Sequence, residues 1–410
     1  MLSILPPRLQ EDFDALAQIG STGDGGINRP TFSEAHLAAR RWYRERVQQA
    51  GLEFFADGAG NHSAILPCAE PGAPTLLLGS HLDSVPYGGR FDGALGVLAA
   101  LEVLRIVKEK RLRLPVNLEA IDFTDEEGTL FGLLGSSALA GKLTPQSLQE
   151  PRGGRQALSD GLQRAGLSED GLLHSRRAPE SLAGYLELHI EQGSRLEQSG
   201  VEIGVVTGIV GIVSFQLVFT GRANHAGTTP MNVRCDAAQG AAAFTLAVRE
   251  LTLAEFPGCT ANVGQLKLEP GAFNIIPGQA VVGLECRAAD EAIFTRLETA
   301  LLQRARVAAD RFGLGLAITP LGKHLPAAMS QSTQEAIVQA TDELGLQYTR
   351  LASGAGHDAQ MLAELCPAGM IFVPSAGGVS HSPDEFTSWQ DCLNGANVLL
   401  QAALRLARGF

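Results

Sequence analysis

The chain lacks any apolar run of the length a membrane-spanning helix needs, about 18 residues or more, so no membrane association is expected. It is poor in cysteine, six in 410 residues, and no two are spaced as CxxC. Such isolated cysteines read as reduced, buried thiols of a cytoplasmic protein. Positive charge is scarce: 32 Lys and Arg stand against 44 Asp and Glu, a net charge of −12. A nucleic-acid partner is therefore not expected, because a phosphate backbone calls for clustered Lys and Arg. The opening residues MLSILPPRLQEDF have neither the basic start nor the extended apolar stretch of a secretory signal. No short repeat or low-complexity tract is visible, and the polar stretch Thr144–Glu180 reads as an excursion between core elements.

What is present is an ordinary soluble composition, 45% hydrophobic and 19% charged. A chain of 410 residues is too long for one typical core, which implies two domains. Thr31–Ala50 reads as a helix with Ser33 as its N-cap, and Gly93–Lys110 as a long helix with an apolar face. Pro74–Ser80, Val116–Phe123 and Tyr185–Ile190 read as buried strands between such helices. That alternation predicts an α/β fold with a mostly parallel sheet and helices on both faces. From about Gly208 the texture changes to strand, helix, strand, strand, helix, the pattern of a small α+β sandwich. Its members are Gly211–Gly221, Asn232–Leu251, Ala261–Leu268, Gln279–Arg287 and Asp290–Arg311. The first texture then returns, ending in a helix from about Ser388. The expected organisation is a discontinuous domain, 1–209 and 325–410, interrupted by a smaller one at 210–324.

In a parallel sheet, ligands gather at the carboxyl ends of the strands. His81 and Asp83 (LLLGSHLDS) follow one strand, and Asp92 (GGRFDGALG) opens the next helix from a glycine-rich turn. His189 (LELHIEQG) ends a third strand, and His381 (PSAGGVSHSPDE) lies in a loop after the last. The stretch DFTDEEGTLFG puts three adjacent carboxylates, Asp125, Glu126 and Glu127, after a buried strand. Like charges so placed repel, and a divalent cation shared with the converging histidines would let them stay ionised together.

HLDS, FDGALGV, TDEEG, LELHIEQG and SHSPDE together resemble the M20 metallopeptidase-like family of two-metal amidohydrolases. GRANHAGTTPM, FNIIPG and GAGHDAQ resemble its branch acting on ureido acids: N-carbamoyl-L-amino acid hydrolase, β-ureidopropionase and allantoate amidohydrolase. The resemblance runs from about Gly25 to the end of the chain. It implies an aminopeptidase-like catalytic domain and an inserted lid or dimerisation domain. It also implies two divalent metal ions, one held by His81, Asp92 and His189, the other by Asp92, Glu127 and His381, with Asp92 bridging. Zinc suits these ligands, and manganese, cobalt or nickel fit the same set. Asp83 would accept the other ring N–H of His81. Glu126 would be the general base towards a water on the metals and then the acid towards the leaving nitrogen, while Asp125 would play a structural hydrogen-bonding part.

The same resemblance assigns the substrate carboxylate to Arg287 and Asn274, a further polar contact to Gln192, a hydrogen bond to the tetrahedral oxyanion to His225, and backbone contacts to Gly356. It implies a homodimer in which His225 and Asn274 reach across the interface, with Gly208 and Gly211 as hinge positions. The implied reaction cleaves the carbamoyl C–N bond of an N-carbamoyl-L-amino acid, releasing amino acid, CO2 and ammonia. Allantoate and N-carbamoyl-β-alanine are alternative substrates, and a dipeptidase or aminoacylase of the same superfamily is the alternative activity.

Overall fold

The computed structural model describes residues 2–68 and 70–409. The chain divides into two compact units. The larger comprises Met1–Thr207, Ala328–Leu351 and His357–Phe410, the smaller Gly208–Ala327 and Ala352–Gly356. The segment Ala352–Gly356 thus joins the smaller unit, whereas the sequence alone leaves it in the larger. There the Val210 N–H bonds the Ser353 carbonyl at 3.0 Å, and Arg287 Nη1 donates to the Gly354 carbonyl at 2.7 Å.

In the larger unit the central strands pair in the order Asn117–Phe123, Thr75–His81, Leu182–Ile190 and Ala368–Val373, all parallel. Side chains such as Leu76, Leu78, Leu118, Leu186 and Ile371 are buried on both faces, which is why these strands read as continuous apolar runs rather than alternating ones. The edges are antiparallel: His62–Leu66 and Glu53–Ala56 extend one side, and Ile203–Ile209 pairs with Ala368–Val373 on the other. The helix Ala94–Glu109 is buried from Ala94 to Val107. Gly96 permits that depth, since a Cβ there would lie 2.3 Å from the Leu188 carbonyl oxygen. Because the central strands run the same way, their carboxyl ends deliver His81, the turn after Phe123, and His189 to one rim.

The smaller unit is a four-stranded antiparallel sheet in the order Gly315–His324, Gly211–Thr220, Gln279–Ala288, Thr260–Glu269. Val213, Phe215, Leu217 and Phe219 alternate inward and pack with Phe244 and Leu297 of the helices Ala237–Glu255 and Glu291–Arg311.

Several elements differ from expectation. The helix predicted from Asn232 begins at Ala237, because Asp236 accepts the Ala238 N–H as N-cap and Met231–Val233 is a short 3-10 turn. Gly315–His324 is an additional edge strand; it is mostly exposed and bonded on one side only, so it lacks an apolar signal. The Thr144–Glu180 excursion contains the helices Gly154–Ala165 and Glu169–Leu173 and packs Leu148, Leu158, Leu162 and Leu172 around Phe32. All six cysteines are free, and among the described residues no helix is long and apolar enough to cross a membrane.

Candidate metal centre

His81 is the last residue of its strand and is buried. Its Nδ1 lies 3.0 Å from the Asp83 carbonyl and donates to it, which turns Nε2 towards the acids. That Nε2 lies 3.4 Å from Asp92 Oδ1 and 3.5 Å from Glu126 Oε2, and it has no hydrogen-bond partner. His189 repeats the arrangement: Nδ1 faces the Ile190 carbonyl at 2.9 Å, and Nε2 lies 3.1 Å from Asp92 Oδ1. Asp92 is brought close by Gly93, whose φ of 63° starts the following helix and where a Cβ would lie 2.5 Å from the His81 ring. The other Asp92 oxygen, Oδ2, lies 3.4 Å from His381 Nε2, which is also 3.4 Å from Glu127 Oε2.

The structure thereby brings together two groups, His81–Asp92–His189 and Asp92–Glu127–His381, each with its ligand atoms within 4.8 Å of one another. Asp92 belongs to both and turns one oxygen to each. A third such group, Glu187–His189–His357, is already engaged internally. Glu187 accepts the Ser80 hydroxyl at 2.8 Å and the Ala359 N–H at 3.0 Å. His357 stands at the start of the short helix Asp358–Leu362 and packs its ring edge-on to His189 at 4.6 Å.

Charge is concentrated here. Burial raises the Glu126 carboxyl well above its ordinary value, and the neighbouring carboxylates of Glu127, Asp358 and Asp92 add to this against the opposing His81. Glu127 is pushed up to about 7, first by burial and then by Asp92. Burial would also raise Asp92, but His189, His381 and His81 outweigh it and hold the carboxylate well below its usual range. The carboxylates in turn overcome burial at His81 and hold its ring well above the ordinary histidine value. The hydrogen bond to Asp92 is the chief cause raising His381 to about 9. Mixed imidazole and carboxylate donors, with a buried imidazole nitrogen facing two carboxylates, fit a divalent cation of the zinc or manganese kind.

The triplet of acids separates by role. Asp125, with φ of 57°, turns inward and accepts the main-chain N–H groups of Leu130, Phe131 and Gly132, closing the loop beneath the site. Glu126 and Glu127 face the histidines. Asp83 behaves differently from expectation. Its carbonyl, not its carboxylate, takes the His81 ring N–H, and the nearer carboxylate oxygen is 3.8 Å from that nitrogen. The carboxylate instead spans the N–H groups of Glu126 (3.3 Å) and Glu127 (3.2 Å) and accepts the Thr31 hydroxyl. Buried Arg29 donates to the Leu82 carbonyl, and Asp122 accepts the Leu82 N–H, so the turn after His81 is held from both sides.

Gln192 also lies in this cluster, with its Nε2 donating to Asp92 Oδ2 at 2.8 Å and its buried Oε1 unpartnered. The remaining predicted residues belong to the smaller unit. A two-stranded ribbon pairs His225 with Ile275, and Ala226 donates to the Asn274 carbonyl, so His225 and Asn274 are neighbours. His225 Nδ1 accepts N–H groups from Gly227 and Thr228, which leaves the ring proton on the exposed Nε2. Arg287 is held by Glu285 (2.8 Å) and the Gly354 carbonyl, two residues from Gly356. Sequence reasoning missed Ser380 and Glu385, which contact Asp92 through its carboxylate and its main-chain N–H respectively. Their only signal was adjacency to His381 in SHSPDE.

The sequence profile of peptidase family M20/M25/M40 matches residues 77–405. N-carbamoyl-L-amino acid amidohydrolase of Geobacillus stearothermophilus is 38% identical over 98% of both chains. Allantoate amidohydrolase of Bacillus subtilis is 33% identical over 96% of this chain and 95% of its own. Among solved structures, an amidase of the hydantoinase/carbamoylase family from Burkholderia multivorans superposes with a TM-score of 0.88 at 32% identity, covering 99% of this chain and 98% of that one.

Proposed function

Because this chain belongs to peptidase family M20/M25/M40, a family of metal-dependent hydrolases, we propose that it is an amidohydrolase cleaving the carbamoyl C–N bond of N-carbamoyl-L-amino acids. The observation that carries this reading is Asp92, one oxygen turned to each of two imidazole-carboxylate groups, with Glu126 beside them. In this reading His81, Asp92 and His189 hold one divalent ion, and Asp92, Glu127 and His381 the other. Such ions, when bound, polarise the ureido carbonyl and acidify water.

The protein's own groups do the rest. Glu126 takes a proton from the attacking water and delivers it to the leaving nitrogen, and its buried setting suits a base that must work near neutral pH. His225 donates Nε2–H to the oxyanion of the tetrahedral intermediate. Arg287, Asn274 and Gln192 hold the carboxylate end, with Gly356 contributing backbone groups. The carbamic acid released falls apart to CO2 and ammonia. The inserted unit acts as the lid and dimer contact, and His225 and Asn274 of the partner subunit complete each site in a cytoplasmic homodimer.

The test is ammonia release from N-carbamoyl-L-methionine, N-carbamoyl-β-alanine and allantoate beside amine release from dipeptides. The carbamoyl L-amino acid should give the highest kcat/KM. Dipeptide cleavage without ureido cleavage would overturn the reading, and allantoate, with the same two handles, leading the series would move the substrate. Arg287→Ala should lower kcat/KM ten- to about a hundredfold, chiefly through KM, since a charge-assisted hydrogen bond is worth about 1.5–3 kcal/mol. The same variant should lose little against the substrate's carboxamide, and an equal loss on both would contradict a carboxylate contact.

Metal uptake should also release protons. Ligation needs neutral imidazole and ionised carboxylate. In the metal-free protein at pH 7, His81 and His381 hold their protons and Glu127, near 7, is about half protonated. Apparent affinity should therefore rise with pH through the range up to about 9, where His381 loses its proton. Calorimetry in two buffers of different protonation enthalpy should find at least two protons released, since His189 is also raised above its ordinary value, the effect of burial being outweighed by the carboxylate of Asp92. Identical heats in both would contradict the ligand assignment.

A further inference from the structure

One carboxylate ties the loop that carries His381 to the turn that carries Asp92, 293 residues away from it in sequence. Glu385 is buried, 4% exposed. Its Oε1 accepts the main-chain N–H groups of Phe91 at 2.9 Å and Asp92 at 3.1 Å, and its Oε2 accepts the Ser380 hydroxyl at 2.8 Å. The same Ser380 oxygen lies 3.2 Å from Asp92 Oδ2, the oxygen turned towards His381. The cradle is shaped for this group: a Cβ at Gly89 would lie 2.0 Å from the Glu385 carboxyl carbon, so glycine alone admits the carboxylate. Glu385 belongs to neither group of ligand atoms. Its acceptors are spent on the backbone of Asp92 and on the serine preceding His381.

We propose that Glu385 is a positioning residue that locks Asp92 against the His381 loop and thereby sets the affinity for the ion between Asp92, Glu127 and His381. The proposal rests on the two-ion reading above. Partners of this kind typically change metal affinity 10- to 100-fold when removed, because a ligand free to swing must be re-ordered on binding (about that range). In E385Q the amide oxygen can still receive both N–H groups and the amide nitrogen can donate to Ser380. In E385D the carboxylate is drawn back by one methylene and cannot span all three partners, although the charge is kept.

The experiment is chelator competition on metal-reconstituted parent, E385Q, E385D and E385A, read as ions retained per chain, together with the melting temperature of each metal-free protein. E385D and E385A should release one of two ions about 10- to 100-fold more readily, the other, which shares Asp92 but keeps His81 and His189, by a smaller factor, and E385Q should restore retention. If E385A fails to fold, E385D carries the comparison. A melting temperature lowered in E385D with both ions held as tightly as in the parent would show a merely structural role and overturn the proposal. A parent that retains no ion pair would overturn the two-ion reading, and this proposal with it.

Discussion

Glu126→Gln lowers kcat by about 10²- to 10⁴-fold while leaving metal content and substrate binding close to those of the parent. Glutamine keeps the volume and the hydrogen-bonding shape of the side chain but cannot take a proton. The Glu126 main-chain N–H is fixed by Asp83 and its Oε2 stands 3.5 Å from His81 Nε2, so the group is pre-placed beside the two ligand sets without belonging to either. The loss should therefore appear in kcat and not in ion retention. Steady-state kinetics, elemental analysis and equilibrium dialysis with an N-carbamoyl amino acid separate the three quantities. Turnover within tenfold of the parent would remove Glu126 from the proton transfer.

The second large effect concerns Asp92. Asp92→Ala should release both ions at once and lower activity on the order of 10⁴-fold, several kcal/mol of lost charge stabilisation. His381→Ala should release one. The reasoning is the shared membership: Asp92 alone has an oxygen on each side, 3.1 Å from His189 Nε2 and 3.4 Å from His381 Nε2. Metal content per chain after gel filtration reads the difference. An Asp92→Ala protein that keeps one ion would show that the two groups do not depend on a common carboxylate.

Much of this arrangement was legible because a parallel sheet converts sequence order into spatial convergence. Residues just past the ends of successive strands meet at one rim, so His81, Asp92, His189 and the acidic run 125–127 could be placed there from strand boundaries, whereas the choice of Glu127 over its neighbours as a ligand came from the family resemblance. Apolar runs buried on both faces made those boundaries visible. What stayed hidden shares a different physics. Asp83 orients His81 through its main-chain carbonyl, and no side-chain type announces a backbone acceptor. Glu385 works through two main-chain N–H groups across a long sequence separation, which a lone glutamate in a polar loop does not reveal. The edge strand Gly315–His324 is exposed and pairs on one side, so its residues carry no burial pattern. The helix start at Ala237 depended on a local contest that Asp236 wins by capping. Arg287 was legible as a cation at a strand end, but its ties to Glu285 and the Gly354 carbonyl follow from register and chain path.

The most direct measurement of the central claim is anomalous diffraction at the zinc or manganese edge from crystals of the reconstituted protein. Two peaks are predicted, one on each side of the Asp92 carboxylate, the first in contact with His81 and His189 and the second with Glu127 and His381, at ligand distances of about 2.0–2.2 Å. A map with no peak beside Asp92 would contradict the account.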